Sequence, residues 1–186
     1  MQPTNTTKLD PTTWLDSYGD ILFRYAMARV HDQATAEDLV QEALLAGIIS
    51  VDTFKGGSTE RTWLVGILRH KILDYFRKTS REQRSDWSAD DGDFDSEGSW
   101  AVTLTEWRTP EKLAEQDEFW PILGGCVDTL PENLRTLFTL RELDGLETDV
   151  LLETLNISTK NNLWVMLSRA RKLVRNCLQT HWFERE

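Results

Sequence analysis

Between Arg61 and Arg84 this 186-residue chain places seven Lys or Arg residues against two acids, and between Thr159 and Glu186 it places six against two. Acid prevails elsewhere, and the formal net charge is -10. Clustered guanidinium and ammonium groups bind phosphate by charge and hydrogen bonding, and local field rather than net charge decides where an anion docks. In the first island a loop with Lys55, Gly56, Gly57, Ser58 and Thr59 precedes Arg61, Trp63, Arg69, His70, Lys71, Arg77 and Lys78. An adaptable backbone, an aromatic ring and a row of cations are the parts that hold unstacked single strands. Trp63 equally suits a core position, because indoles are more often packing residues than stacking platforms. In the second island Thr159, Lys160, Asn161, Asn162 and Trp164 are followed by Ser168, Arg169, Arg171, Lys172 and Arg175. Amides there can read base edges, Lys160 can take phosphate or guanine, and the arginines can clamp the backbone.

Other candidate chemistry is weaker. Asp91, Asp93 and Asp95 have the spacing of a calcium loop, but its sixth position is Ser96 and its twelfth is Val102. Glycine and a bidentate glutamate are wanted there, so the match fails. A nuclease built on these aspartates lacks a fixed metal geometry. Cys177 and His181, four residues apart, make half of a metal site at most. With Cys126 far off in sequence, the two cysteines read most simply as reduced thiols of a cytoplasmic protein, a disulfide being the alternative. No cofactor and no metal is expected. The N-terminus lacks a signal-peptide pattern, and no apolar run approaches the roughly 18 residues that span a bilayer.

These residues need elements to position them, and hydrophobic period predicts an all-α chain. Trp14 to Val30 carries Leu15, Tyr18, Ile21, Leu22, Tyr25 and Ala26 at helical spacing and stops near His31 and Asp32. A second helix has Thr35 as its expected N-cap and an inward stripe of Ala36, Leu39, Val40, Ala43 and Leu44. Opposite lie Asp38, Gln41, Glu42 and Leu45, which spacing alone reads either as a solvated face or as a docking stripe for a basic partner. The third helix, from about Thr62, buries Leu64, Ile67, Leu68, Ile72, Tyr75 and Phe76 and so turns its basic residues outward. Ser85 to Pro110 is acidic and without period, marking a solvated tether. Beyond it, Pro121 opens or kinks a helix, Leu130, Leu134, Leu137 and Phe138 share a face, and Gly145 follows the helix end. A short helix ended by Asn156 leads to a long one whose stripe is Leu163, Leu167, Ala170, Val174 and Cys177. Short helix, tight turn and longer basic helix form the helix-turn-helix arrangement, in which the start of the second helix enters the major groove.

The order of AEDLVQEALL, FKGG with STERTWLVGILRHKILDYFRK, an acidic linker, LPENLRTLFTLRELDGL and a helix-turn-helix ending in LSRARK closely resembles bacterial RNA polymerase sigma factors of the small, two-domain extracytoplasmic-function group. The resemblance covers about four fifths of the chain. It implies an N-terminal helical bundle over residues 1–84, a flexible acidic linker over 85–110 and a helix-turn-helix domain over 111–186. It implies that Asp38, Gln41, Glu42 and Leu45 dock on core RNA polymerase, and that Lys55, Ser58, Thr59, Arg61, Trp63, Arg69, His70, Lys71, Arg77 and Lys78 melt and hold the minus-ten element of promoter DNA. The minus-thirty-five duplex would be read by Thr159, Lys160, Asn161, Asn162, Trp164, Ser168, Arg169, Arg171 and Lys172. An anti-sigma factor is the expected regulator, and no membrane insertion is expected.

Departures from the family pattern bear on promoter choice rather than class. His70 stands where asparagine often follows the arginine of the third helix. Leu152 and Thr154 occupy positions usually small and apolar, and Asn156 replaces a common glycine. The stretch from Ile157 to Arg169 is one residue longer than usual, which leaves two registers, one residue apart, for the assignments between Lys160 and Trp164. The rival reading is a stand-alone helix-turn-helix regulator, which would bind a palindromic duplex without polymerase.

Overall fold

The computed structural model describes residues 9–82 and 118–183, all of their regular structure helical. The chain divides into two compact units, Met1–Gln83 and Arg84–Glu186. The expected tether, with its aspartates and Trp87, Trp100 and Trp107, lies outside the described residues. No described helix is long and apolar enough to cross a membrane.

The first unit contains α1 (Trp14–Val30), α2 (Gln33–Ile49) and α3 (Glu60–Glu82). Their apolar stripes meet in one core of Trp14, Leu22, Ala26, Ala36, Leu39, Val40, Ala43, Leu64, Leu68 and Ile72. Trp14 is 1% exposed. It presses so closely on α2 that a Cβ at Gly47 would lie 2.9 Å from its ring and 3.0 Å from Leu64. Glycine at 47 is therefore set by packing and not by backbone conformation.

The turn between α1 and α2 corrects one expectation. His31 adopts the left-handed conformation (φ 53°) and ends α1, and the cap of α2 is Asp32 rather than Thr35. Extended backbone at Asp32 lets its carboxylate accept from the Thr35 amide at 2.8 Å, a role an ionised carboxylate fills at least as well as a hydroxyl. Thr35 is the residue being capped. Its hydroxyl, and after it its amide, hold the Asp32 carboxyl below the ordinary 3.8. A depressed carboxyl stabilises the fold fully above its unfolded value and loses that contribution as pH falls through the folded one. Asp32→Ala is expected to lower Tm at neutral pH, and the gap to the wild type should close in acid below the carboxylate range, as thermal melts followed by circular dichroism would show.

Among the described residues the second unit starts with α4 (Phe119–Asp128), which Pro121 opens from within its first turn, where a missing N–H costs nothing. Next, α5 (Glu132–Phe138) widens into a π turn over Thr139–Leu143 and ends before Gly145 at φ +66°. Then come α6 (Thr148–Leu155) and α7 (Lys160–Leu178), which also closes on a π turn, Gln179–Phe183. The α6–α7 turn depends on Asn156, left-handed at φ 53°, ψ 38°. There the Ile157 amide bonds Leu152 O at 3.1 Å, and asparagine substitutes for glycine because it tolerates this geometry best among other residues.

On α6, Thr154 is fully buried and its hydroxyl has no hydrogen-bond partner among the described residues. Thr154→Val removes that desolvated hydroxyl at nearly constant shape and is expected to stabilise the protein by about 1 kcal/mol. Urea unfolding should show a higher midpoint at unchanged slope.

The cysteines supply the second correction. Cys126 on α4 and Cys177 on α7 are joined in a disulfide, with Cα atoms 5.6 Å apart. Sequence separation concealed the pair, because α4 packs against the last turns of α7 only once both helices have formed.

Candidate nucleic-acid interface

On α2 the inward stripe leaves Asp38, Gln41, Glu42 and Leu45 in solvent, Leu45 at 59% exposure. The same face runs on through Ile48 (47%) and Ile49 (85%), which the sequence reading did not single out. Their positions extend the three-and-four spacing from Leu45, and that continuation is the signal that would have found them. Three exposed aliphatic side chains thus stand at the end of an acidic row.

The α2–α3 connection keeps Phe54 against the fold and turns Lys55, Gly56, Gly57, Ser58 and Thr59 outward. Gly56 is left-handed at φ +72° with open space where a Cβ would stand. The Thr59 hydroxyl accepts from the Thr62 amide at 3.2 Å, which starts α3 two residues earlier than periodicity placed it. The Tyr18 hydroxyl donates to Glu60 Oε2 at 3.1 Å and ties that start to α1. Trp63 is half-buried, its ring centroid 5.9 Å from Trp14 and 5.3 Å from Phe54. Its orientation is thus fixed by the core, and only part of the indole faces out.

Along α3, burial of Leu64, Leu68, Ile72 and Leu73 turns the basic positions away from the core. Arg61, His70, Lys78 and Arg81 are exposed, and Arg69, Lys71 and Arg77 are half-exposed. Lys71 Nζ reaches Glu42 Oε2 at 3.2 Å, and Arg77 pairs with Asp74 at 2.9 Å. The Lys71–Glu42 bridge joins the basic surface of α3 to the acidic row of α2. Both partners are accessible, so the pair is worth under about 1 kcal/mol and yields readily to a competing charge.

In the second unit, Leu163 is fully buried and thereby sets the register of α7. Lys160, Asn161, Trp164, Arg169 and Arg171 are exposed, while Asn162, Ser168 and Lys172 are half-exposed. The Thr159 hydroxyl is engaged as the N-cap, accepting from the Asn162 amide at 3.1 Å. Lys160 Nζ lies 2.8 Å from Asp149 on α6. Arg171 forms two bonds to Glu142 Oε1, at 3.2 and 2.7 Å, and the Arg141 guanidinium stands 5.7 Å from the centre of the Trp164 ring. Asn161 is exposed on this helix and Arg169 half-exposed, and Lys160 and Arg171 must exchange partners to reach an incoming ligand.

Residues 14–82 match the family model for sigma-70 region 2. Over 163 residues the chain is 32% identical to a probable RNA polymerase sigma factor of Haemophilus influenzae, covering 84% of each. The chain belongs to the RNA polymerase sigma factors. Within them it is 32% identical over 144 residues to the ECF RNA polymerase sigma-E factor of Escherichia coli, covering 76% of this chain and 73% of that protein. A solved structure, the sigma factor RpoE in complex with the anti-sigma factor NepR from Bartonella quintana, aligns at a TM-score of 0.44 and 20% identity over 91% of this chain and 97% of that one. The region 2 match spans α1 to α3 of this sigma factor, the unit that carries both the α2 row and the basic face of α3.

Proposed function

We propose that the protein is a transcription initiation factor that binds core RNA polymerase through Asp38, Gln41, Glu42 and Leu45, with Ile48 and Ile49 widening the contact. In this reading the loop after Phe54 and the basic face of α3 hold an opened minus-ten strand, and the leading turns of α7 read the minus-thirty-five duplex. The observation that carries it is the α2 row, since a merely solvated face would not end in three exposed aliphatic residues. Opening a DNA segment costs a few kcal/mol of unstacking, which stacking and phosphate contacts to the freed strand must offset. Each contact set is small, and joining both to one chain and to polymerase turns two weak contacts into one selective event.

The factor acts without covalent chemistry of its own, in the cytoplasm, and an anti-sigma protein controls it by covering these same surfaces. The exposed acidic row and the exposed Trp120 and Trp164 suit such a cover. Run-off transcription with core polymerase on templates selected from random sequence tests the reading. Initiation from a fixed start should appear only when the factor is added. Tight binding to a palindromic duplex without polymerase, and no initiation, would favour a stand-alone regulator.

A further inference from the structure

The sequence offers Cys177 and His181 as half of a metal site, and the fold brings the missing sulfur to them. Cys126 arrives from α4, and the three potential ligand atoms lie within 4.8 Å of one another. His181 Nδ1 is 3.6 Å from Cys177 Sγ. A tetrahedral zinc ion bound by sulfur at ~2.3 Å and nitrogen at ~2.0 Å sets those atoms ~3.6 Å apart, which is the separation already present. Around the ion the sulfurs would part to ~3.8 Å, which a Cα separation of 5.6 Å allows with small rotations of the two side chains, and Cys126 Sγ and the imidazole, already within 4.8 Å, would settle at ~3.6 Å. Cys126 is buried, Cys177 half-buried and His181 exposed, so the site has a closed floor and an open mouth.

We propose that Cys126, Cys177 and His181 form a zinc-class metal site that becomes available when their disulfide is reduced, with water in the fourth position. Two thiolates and an imidazole select zinc-like ions over the oxygen-preferring magnesium and calcium. A dithiol reductant supplies two electrons and two protons, the S–S bond breaks, and the reductant leaves as its own disulfide. The metal ion then displaces both thiol protons. His181 Nδ1 is 2.9 Å from the Cys177 carbonyl oxygen, so coordination through Nδ1 trades that hydrogen bond for the metal and leaves the ring proton on Nε2. The ion would bolt α4 to α7 where the disulfide does so in the oxidised protein. Availability of the reductant in the cell rests on the cytoplasmic role proposed above, since thiol pools there keep cysteines reduced.

The full chain, reduced with a phosphine and desalted without oxygen, is titrated with cobalt(II) and then with zinc. The expected result is one ion per chain, with the sulfur-to-cobalt charge-transfer band and strong visible bands of tetrahedral cobalt, all erased by zinc and absent from the oxidised protein. His181→Asn changes an exposed side chain and should leave the helical circular dichroism intact while weakening cobalt binding at least ~10-fold. Absence of the charge-transfer band in the reduced wild type, or unchanged affinity in His181→Asn, overturns the proposal. Neither outcome touches polymerase binding, which is scored separately on the same preparation.

Discussion

Asp38→Arg combined with Glu42→Arg is expected to weaken binding to core RNA polymerase by about 100-fold or more, since like charges set against each other at an interface cost several kcal/mol. Both carboxylates are exposed on α2, and neither takes part in the core of the first unit. The one described contact that is lost is the Glu42–Lys71 bridge, an accessible pair worth under about 1 kcal/mol. Circular dichroism and Tm should therefore change little while co-purification with polymerase fails. Glu42→Gln supplies the control. It removes the bridge without reversing the charge, and it should bind polymerase far better than the double variant. Undiminished binding by the double arginine variant would refute the docking role of this face.

The second large effect is expected at the start of α7. Asn161→Ala with Arg169→Ala removes one exposed amide and one exposed cation from the surface assigned to the upstream promoter element. A base contact contributes about 1–3 kcal/mol of discrimination, so preference for the cognate upstream element over a scrambled one should fall ~10- to 100-fold. Losing one phosphate partner should also reduce the slope of log affinity against log salt by about 1. The fold should survive, because α7 is anchored by Leu163, Leu167, Ala170 and Val174 on its other side. Initiation measured on matched and scrambled templates separates the two effects: loss of discrimination marks base reading, and a uniform loss marks phosphate contact alone.

Much of this was legible in the residues, and the places where it was not have a common cause. The faces of α2, α3 and α7 follow from three-and-four spacing, a local property. The stop at Asn156 follows from the left-handed tolerance of one residue type. Reading failed where two segments had to meet. Cys126 and Cys177 reveal their pairing only when α4 lies against α7. The bridges of Lys71 to Glu42, Lys160 to Asp149 and Arg171 to Glu142 likewise tie up side chains that the sequence shows only as charges. The N-cap slipped from Asp32 to Thr35 because both residue types cap helices, and the deciding feature, the left-handed backbone at His31, is conformational. Ile48 and Ile49 were missed because an aliphatic pair near a helix end reads as core until solvent is found beside it.

Permanganate oxidation of unpaired thymines in a promoter selected by the holoenzyme measures strand opening directly. Reactive thymines are expected across the minus-ten segment with wild-type factor and polymerase together. They should disappear when Arg69, His70 and Lys78 are changed together to alanine, with polymerase binding retained. Equal reactivity with that triple variant, or reactive thymines under polymerase alone, would show that the basic face of α3 does not hold the opened strand.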